Sequence, residues 1–238
     1  MTDFWRIGTG TANKLRSRGI TTLRDITESS EDLLYRMFGV DAELLIDHAW
    51  GREPTTIADI KAYKSKSKSL SASQVLMRDY KFCEAEIIVK EMMYQLCLDM
   101  AAKKLVTESV SLFVGYSLSQ GVFGASGTVS FSTETNVASK IVAEVSKLYH
   151  RIVDPAFAIR RIGLSCNDVQ EDRDEYQLNM FEDVTKQIRG KALQDAMLSI
   201  RAKYGKNSIL KGVNFYDAAT GRERNTQIGG HRGGKDEY

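Results

Sequence analysis

The chain has 238 residues, 42% of them hydrophobic and 27% charged, with a formal net charge of +2. That composition fits a globular protein and excludes a disordered, collagen-like or disulfide-dense chain; the length suits two domains better than one. No apolar run is long enough to cross a bilayer and no secretory h-region opens the sequence, so the expectation is a cytoplasmic chain without a membrane partner.

In chain order, the first sixty residues read as short helices. Ala12 to Arg18 is helical in composition and Gly19 ends it at a position where positive φ is useful. Thr22-Leu23-Arg24-Asp25 opens a second helix, and Ser29-Ser30-Glu31-Asp32 opens a third carrying Leu33, Leu34, Met37 and Phe38. Gly39 closes that one and Ala42 to Trp50 forms a fourth. Between Ile60 and Met77 there is no acid, while Lys61, Lys64, Lys66 and Lys68 recur among serines. Such a segment extends and attracts phosphate.

The period then changes. Lys66 to Val75 alternates like a strand. Cys83 to Leu105 follows as a long helix with Ala85, Ile88, Met92, Leu96 and Met100 on one stripe. Val110 to Tyr116 and Gly127 to Ser132 form a hairpin of strands; Val137 to Val153 is a helix striped by Ala138, Ile141, Val145, Leu148 and Ile152; Phe157 to Cys166 is the last strand. The order β-α-β-β-α-β predicts an α+β fold, a four-stranded antiparallel sheet with both helices on one face and the other face open. Val110, Leu112, Val114, Tyr116, Val129 and Phe131 fit the covered face. Ser111, Thr128, Ser130 and Ser132 fit a face that meets water or a polar ligand. Phe113 breaks this alternation.

After Asn167 come the acids Glu171, Asp172, Asp174 and Glu175, read as solvated, and then YQLNMFED. A helix over Val184 to Tyr204 follows, with Ile188, Ala192, Ala196, Ile200 and Tyr204 on one side. The tail around Gly229 to Gly234 is too glycine-rich to order itself. The domain plan is therefore 1–58, a basic linker 59–65, 66–168, and a C-terminal extension 169–238. Cys83, Cys97 and Cys166 are odd in number and far apart, which argues for reduced core residues. His48, His150 and His231 show no metal-ligand spacing, so no metal site is expected.

The stretch DFWRIGTGTANKLRSRGITTLRDI resembles the helix-hairpin-helix thumb of Y-family translesion DNA polymerases, with Trp5, Ile7, Gly8, Thr11, Ala12, Leu15, Gly19, Ile20, Thr22 and Asp25 at the motif positions. A glycine turn before a helix lets backbone N–H groups approach a phosphate, and the helix end adds partial positive charge. Gly8, Thr9, Gly10 and Thr11, beside Ile7, would supply those donors, with Lys14 as counter-charge. Arg6 departs from the pattern, standing where the family has its first hairpin glycine.

KSLSASQVLMRDY, residues 68–80, is similar to the first strand of the little-finger domain in UmuC-like proteins of the ImpB/MucB/SamB group, through Lys68, Ser69, Ser73, Gln74, Arg78, Asp79 and Tyr80. That resemblance implies a sheet whose open face lies against primer-template DNA, and it adds Lys64, Lys66, Lys68, Ser69, Ser71 and Ser73 to the candidate DNA contacts. Gln177-Leu178-Asn179-Met180-Phe181 resembles the family's Q-L-x-L-F peptide, which docks on the sliding clamp; the alternative is that Met180 and Phe181 begin the next helix and are buried.

The palm-domain motifs of the family, D-x-D-x-F-F and S-x-D-E, are not found, and the thumb signature begins at Asp3. The resemblance therefore implies a C-terminal polymerase portion, monomeric and inactive in synthesis by itself, without a cofactor of its own; Mg²⁺ would belong to the parent's palm. A stand-alone repair accessory protein is the alternative, and a ferredoxin-like enzyme the third reading.

Overall fold

The computed structural model describes residues 1–63, 68–173, 184–228 and 231–232. The chain divides into two compact units, Met1–Lys66 and Ser67–Tyr238.

The first unit is helical: α1 (Thr9–Arg16), α2 (Leu23–Glu28), α3 (Glu31–Phe38), α4 (Asp41–Ala49) and α5 (Ile57–Ala62). Its core gathers Leu15, Ile20, Ile26, Leu34 and Ala42. Gly19 (φ 78°) and Gly39 (φ 59°) close α1 and α3 in the left-handed region, where a Cβ would collide with the following carbonyl. Thr22 and Asp25 cap α2 reciprocally. The Asp25 carboxylate accepts from Thr21 N at 2.8 Å and Thr22 N at 2.9 Å, and these bonds, the Thr21 backbone donor first, hold its pKa down to about 2.

α5 corrects the expectation of an extended basic linker from residue 59. The same reciprocal device recurs at Thr56 and Asp59, and it starts a helix that takes in Lys61. Lys64 and Lys66 lie outside the described residues.

The second unit contains β1 (Leu70–Tyr80), α6 (Phe82–Ala102), β2 (Leu105–Tyr116), β3 (Gly124–Thr135), α7 (Ala138–Ile152), β4 (Ile159–Asn167), the two-residue β5 (Gln170–Glu171) and α8 (Val184–Tyr204). The sheet runs β1-β4-β2-β3, antiparallel throughout, with β5 against the start of β2. Each helix thus joins two strands that point the same way with a third strand between them. α6 and α7 cover one face. Their stripes, Ala85, Ile88, Met92, Leu96 and Met100 on α6 and Ala138, Ile141, Val145 and Leu148 on α7, are buried with Val110, Leu112, Val114, Ile162 and Leu164. Val129, Phe131 and Ile152 pack at the margin of that core. At about 25 cal/mol per Å² of apolar surface removed from water, this layer dominates the unit's stability.

The turn between β1 and α6 explains the Arg-Asp-Tyr run at residues 78–80. Arg78 grips Glu84 with both terminal nitrogens, at 2.7 and 3.2 Å, and lies 4.0 Å over the Tyr80 ring. Glu84 also accepts from Lys81 N at the start of α6; the Arg78 bonds first, then this one, lower its pKa to about 2. Asp79 meets Arg160 on the neighbouring strand at 3.5 Å.

α8 and the segment after it form a further layer over the outer side of α6 and α7, and here several sequence expectations need correcting. Ile188, Ala192, Ala196, Ile200 and Tyr204 face solvent. The buried side carries Gln194 and Met197, flanked by Lys191, Leu198 and Arg201. The reason is what they meet. Gln194 accepts from Ala138 N at 2.9 Å and donates to Asn136 O at 3.0 Å, capping α7 from another helix. Met197 Sδ accepts from Tyr94 OH, and Arg201 donates to Gln95 and to Ile209 O. Asp172 is not solvated either, since it takes Lys191 at 2.7 Å and Asn136 Nδ2 at 3.1 Å. Asp174 and Glu175 lie outside the described residues.

Beyond α8, a 3₁₀ turn at Gly212–Phe215 and the short α9 (Gly221–Arg224) are tied to α6 by Glu91. This buried carboxylate accepts from Thr220 N at 2.9 Å, Gly221 N at 3.1 Å and Asn214 Nδ2. β6 (Gln227–Ile228) pairs with β7 (His231–Arg232); the tail glycines lie outside the described residues. Among the cysteines, Cys97 and Cys166 are buried and burial raises both thiols, Cys166 to about 12. Cys83 is exposed, because it sits on the free flank of the first turn of α6 and not on its stripe. No helix among the described residues is long and apolar enough to cross a membrane.

Candidate nucleic-acid interface

The open face of the sheet is built by strand alternation. Because Ala72, Leu112, Val129 and Leu164 point into the helices' side, their neighbours point outward. The strand register then sets those neighbours in rows. Ser71, Ser165, Ser111 and Thr128 stand side by side across β1, β4, β2 and β3, and Ser73, Gly163, Phe113 and Ser126 form the adjacent row. Together they line a shallow trough of about 430 Å³. On one side lies a row of Asn167, Ser109 and Ser130, and on the other a row of Val75, Arg161, Gly115 and Gly124.

The hydroxyls are linked. Ser111 Oγ and Thr128 Oγ1 are 2.9 Å apart, and Asn167 Nδ2 donates to Ser111 Oγ at 2.9 Å and to Ser109 Oγ at 3.3 Å. Such a floor presents rotatable donors and acceptors without bulk, so a polar ligand can approach the backbone closely. Its fixed positive charge comes from one edge, where Arg161 is exposed.

Ser111 and Thr128, read from the sequence as a polar face, are thus brought together with Ser71 and Ser73, candidate DNA contacts from the resemblance, and Ser130 stands one row away. Ser132 is separated from them. It follows the register shift between Thr107 and Ser109 and opens on another cavity, of about 420 Å³, lined with Glu108, Glu134, Asp172, Arg173 and Lys191. Lys68 and Ser69 are exposed just before β1, where Lys68 O accepts from Val169 N at 2.8 Å. The β4 contribution, Arg161, Gly163, Ser165 and Asn167, was missed, although Ile162, Leu164 and Cys166 alternate with it in the sequence as plainly as on the hairpin. Phe113 now has a place: it faces the open side, and a Cβ added to Gly163 would lie 3.7 Å from its own Cβ.

In the first unit, Gly8 precedes α1 with extended backbone and can offer no side-chain acceptor. The N–H groups of Thr9, Gly10 and Thr11 therefore have no acceptor within their own helix. A Cβ at Gly8 or Gly10 would meet nothing within 4 Å, so neither glycine serves packing. Ile7 is buried beneath this turn, and Lys14 is exposed one turn on, 5.9 Å from the Phe38 ring. Arg6 adopts φ 65°: the arginine takes the left-handed conformation that a glycine takes freely, and the turn forms despite the substitution. Gln177, Leu178, Met180 and Phe181 lie outside the described residues.

The open face, its two covering helices and the Arg78–Glu84 turn occur within one recognisable domain. Residues 67–180 match the impB/mucB/samB family C-terminal domain. The resemblance seen in residues 68–80 thus extends over the sheet and both of the helices that cover it. The chain is similar to the putative UV-damage repair protein UvrX of Bacillus subtilis (strain 168), 28% identical across 98% of this chain and 55% of that protein. It is also similar to DNA polymerase IV 2 of Halalkalibacterium halodurans, 23% identical across 94% of this chain and 54% of that one. The chain therefore spans about half the length of these relatives. Among solved structures, a Y-family DNA polymerase chimera of Dbh and Dpo4 matches 72% of this chain and 47% of its own at a TM-score of 0.43 and 16% identity.

Proposed function

We propose that this chain is the DNA-holding C-terminal portion of an error-prone translesion polymerase that acts in DNA damage repair. The observation that carries the proposal is the open face of the impB/mucB/samB domain: two adjoining rows of serine, threonine and glycine across four strands, interrupted by Phe113, with Val75 and Arg161 in the next row. Hydroxyls and accessible backbone suit phosphate oxygens and read no base sequence, as a polymerase moving along any template requires. The relatives named for UV-damage repair and for DNA polymerase IV support the same reading.

In this proposal the helix-hairpin-helix of residues 5–25 is a second phosphate contact, through the N–H groups of Thr9, Gly10 and Thr11 with Lys14 beside them. Lys64, Lys66 and Lys68 add counter-charge in the approach to β1. The peptide Gln177 to Phe181 docks on the sliding clamp through Leu178, Met180 and Phe181; burying a few such side chains supports binding of roughly micromolar strength once ordering costs are subtracted. Nucleotide transfer, with its Mg²⁺, belongs to a palm domain of the parent polymerase.

The test is fluorescence anisotropy of a labelled primer-template duplex over a salt series. Affinity should fall linearly on logarithmic axes as salt rises, and replacing Ser71 and Thr128 together by Glu should weaken binding by about tenfold or more through charge repulsion at the trough. A flat salt response, or a double variant that binds like the wild type, removes the sheet face from the interface. Leu178→Ala with Phe181→Ala should abolish clamp binding and leave duplex affinity unchanged.

A further inference from the structure

We infer that Phe113 and Phe123 form a stacking platform for an unpaired nucleic-acid base at the hairpin end of the open face. This rests on the DNA-binding reading above and gives one end of the same surface a distinct task.

Phe123 sits just before β3 with 87% of its surface exposed, so the core gives no reason for a large apolar ring there. It lies 6.4 Å from the Phe113 ring, centroid to centroid, at an interplanar angle of 58°. Phe113 stands toward the hairpin end of β2 on the open face. Its lateral neighbour on β4 is Gly163, and the next row toward the hairpin end contains Gly115 and Gly124. The half-buried Phe113 ring lies over Gly115, where an added Cβ would meet ring atoms at 3.4 and 3.6 Å, so the ring chiefly open to a flat ligand is that of Phe123 beside it.

An aromatic ring laid over a strand glycine also shields the ladder beneath it. That accounts for Phe113, whose ring covers Gly115; it leaves Phe123 unexplained.

The occupant follows from continuity and charge. The aromatic pair is continuous with the hydroxyl-lined trough, and exposed Arg161 flanks Gly115 in the adjoining row. A ligand that is planar and apolar on its faces, and joined to phosphates at its edge, satisfies both parts. Bases within a duplex are already stacked above and below, so the platform can serve only a base on an unpaired strand.

Three probes of equal length separate the possibilities in solution: single-stranded oligo(dT), the same strand with abasic sites, and a blunt duplex. The wild type should prefer oligo(dT) to the abasic strand by about tenfold. Phe123→Ala should erase that preference while leaving duplex affinity unchanged, and Phe123→Trp should restore it. Because Phe123 is exposed, Phe123→Ala should retain the wild-type circular dichroism spectrum and melting temperature. If the wild type binds duplex but does not distinguish oligo(dT) from the abasic strand, the platform is refuted and the DNA-binding reading stands. The platform also fails if Phe123→Ala weakens all three probes equally, since the ring then only shapes the loop. If the wild type binds none of them, both readings fall together.

Discussion

Arg6 offers a direct measurement of how strongly the first unit holds its hairpin turn. Its φ of 65° places an L-residue where the Cβ crowds the next carbonyl, at about 1–2 kcal/mol. Glycine removes that strain but gives back about 0.5–1 kcal/mol through the greater freedom of the unfolded chain. The side chain complicates a simple comparison with the wild type, since it reaches Asp41 at 3.6 Å and the Trp5 ring at 5.7 Å, exposed contacts worth at most about 1 kcal/mol together. Comparing Arg6→Gly with Arg6→Ala cancels those contacts. Arg6→Gly should be the more stable of the two by about 0.5–1 kcal/mol, a difference in melting temperature of about 2–8 °C for a unit of this size. Both tryptophans, Trp5 and Trp50, lie in this unit, so tryptophan fluorescence during heating follows it selectively. An Arg6→Ala variant at least as stable as Arg6→Gly would show that residue 6 is not held left-handed, and the account of the turn would fail.

Removing the Glu91 carboxylate as Glu91→Ala should cost about 3 kcal/mol, because it strands Thr220 N, Gly221 N and Asn214 Nδ2 at a buried site; a urea midpoint reads the loss, and trypsin should cut sooner at Arg222 and Arg224. Gln194→Ala leaves Ala138 N and Asn136 O without their partner, so amide exchange at Ala138 should accelerate and stability drop by about 1–3 kcal/mol. For Glu84 the folded pKa is depressed to about 2 from the ordinary glutamate value of 4.5, so its contribution is fully present above pH 4.5 and disappears as pH falls toward 2. Glu84→Gln should therefore be less stable than wild type at pH 7, by about 1 kcal/mol once solvent screening is allowed for, and the two should converge near pH 2; a gap that persists at pH 2 would mean that charge is not its source.

Strand alternation and the 3–4 spacing of α6 and α7 were readable because one side of each element meets a single apolar layer. The same reasoning failed on α8. Its interface is made with the N-terminal end of α7, with a tyrosine hydroxyl and with backbone carbonyls, so Gln194 and Arg201 face inward and an apolar stripe faces water. Asp172 was misread for the same reason: a charged residue in a connecting stretch reads as solvated until its partners Asn136 and Lys191, far away in sequence, are brought to it. α5 escaped notice because its six residues carry no stripe, although Thr56 and Asp59 mark its start. Arg6 shows the reverse case, a residue that departs from a motif and still adopts the conformation the motif needs.

α6 is enclosed on opposite flanks, by the sheet on one and by α8 with the Glu91-bound segment on the other. The family match, which ends at residue 180, consequently leaves out part of what encloses α6. A fragment ending there would leave Tyr94 and the surface it shares with Met197 bare to water, together with a carboxylate shorn of its donors. Such a fragment should self-associate, and the last quarter of this chain is better regarded as a wall of the domain than as an appendage to it.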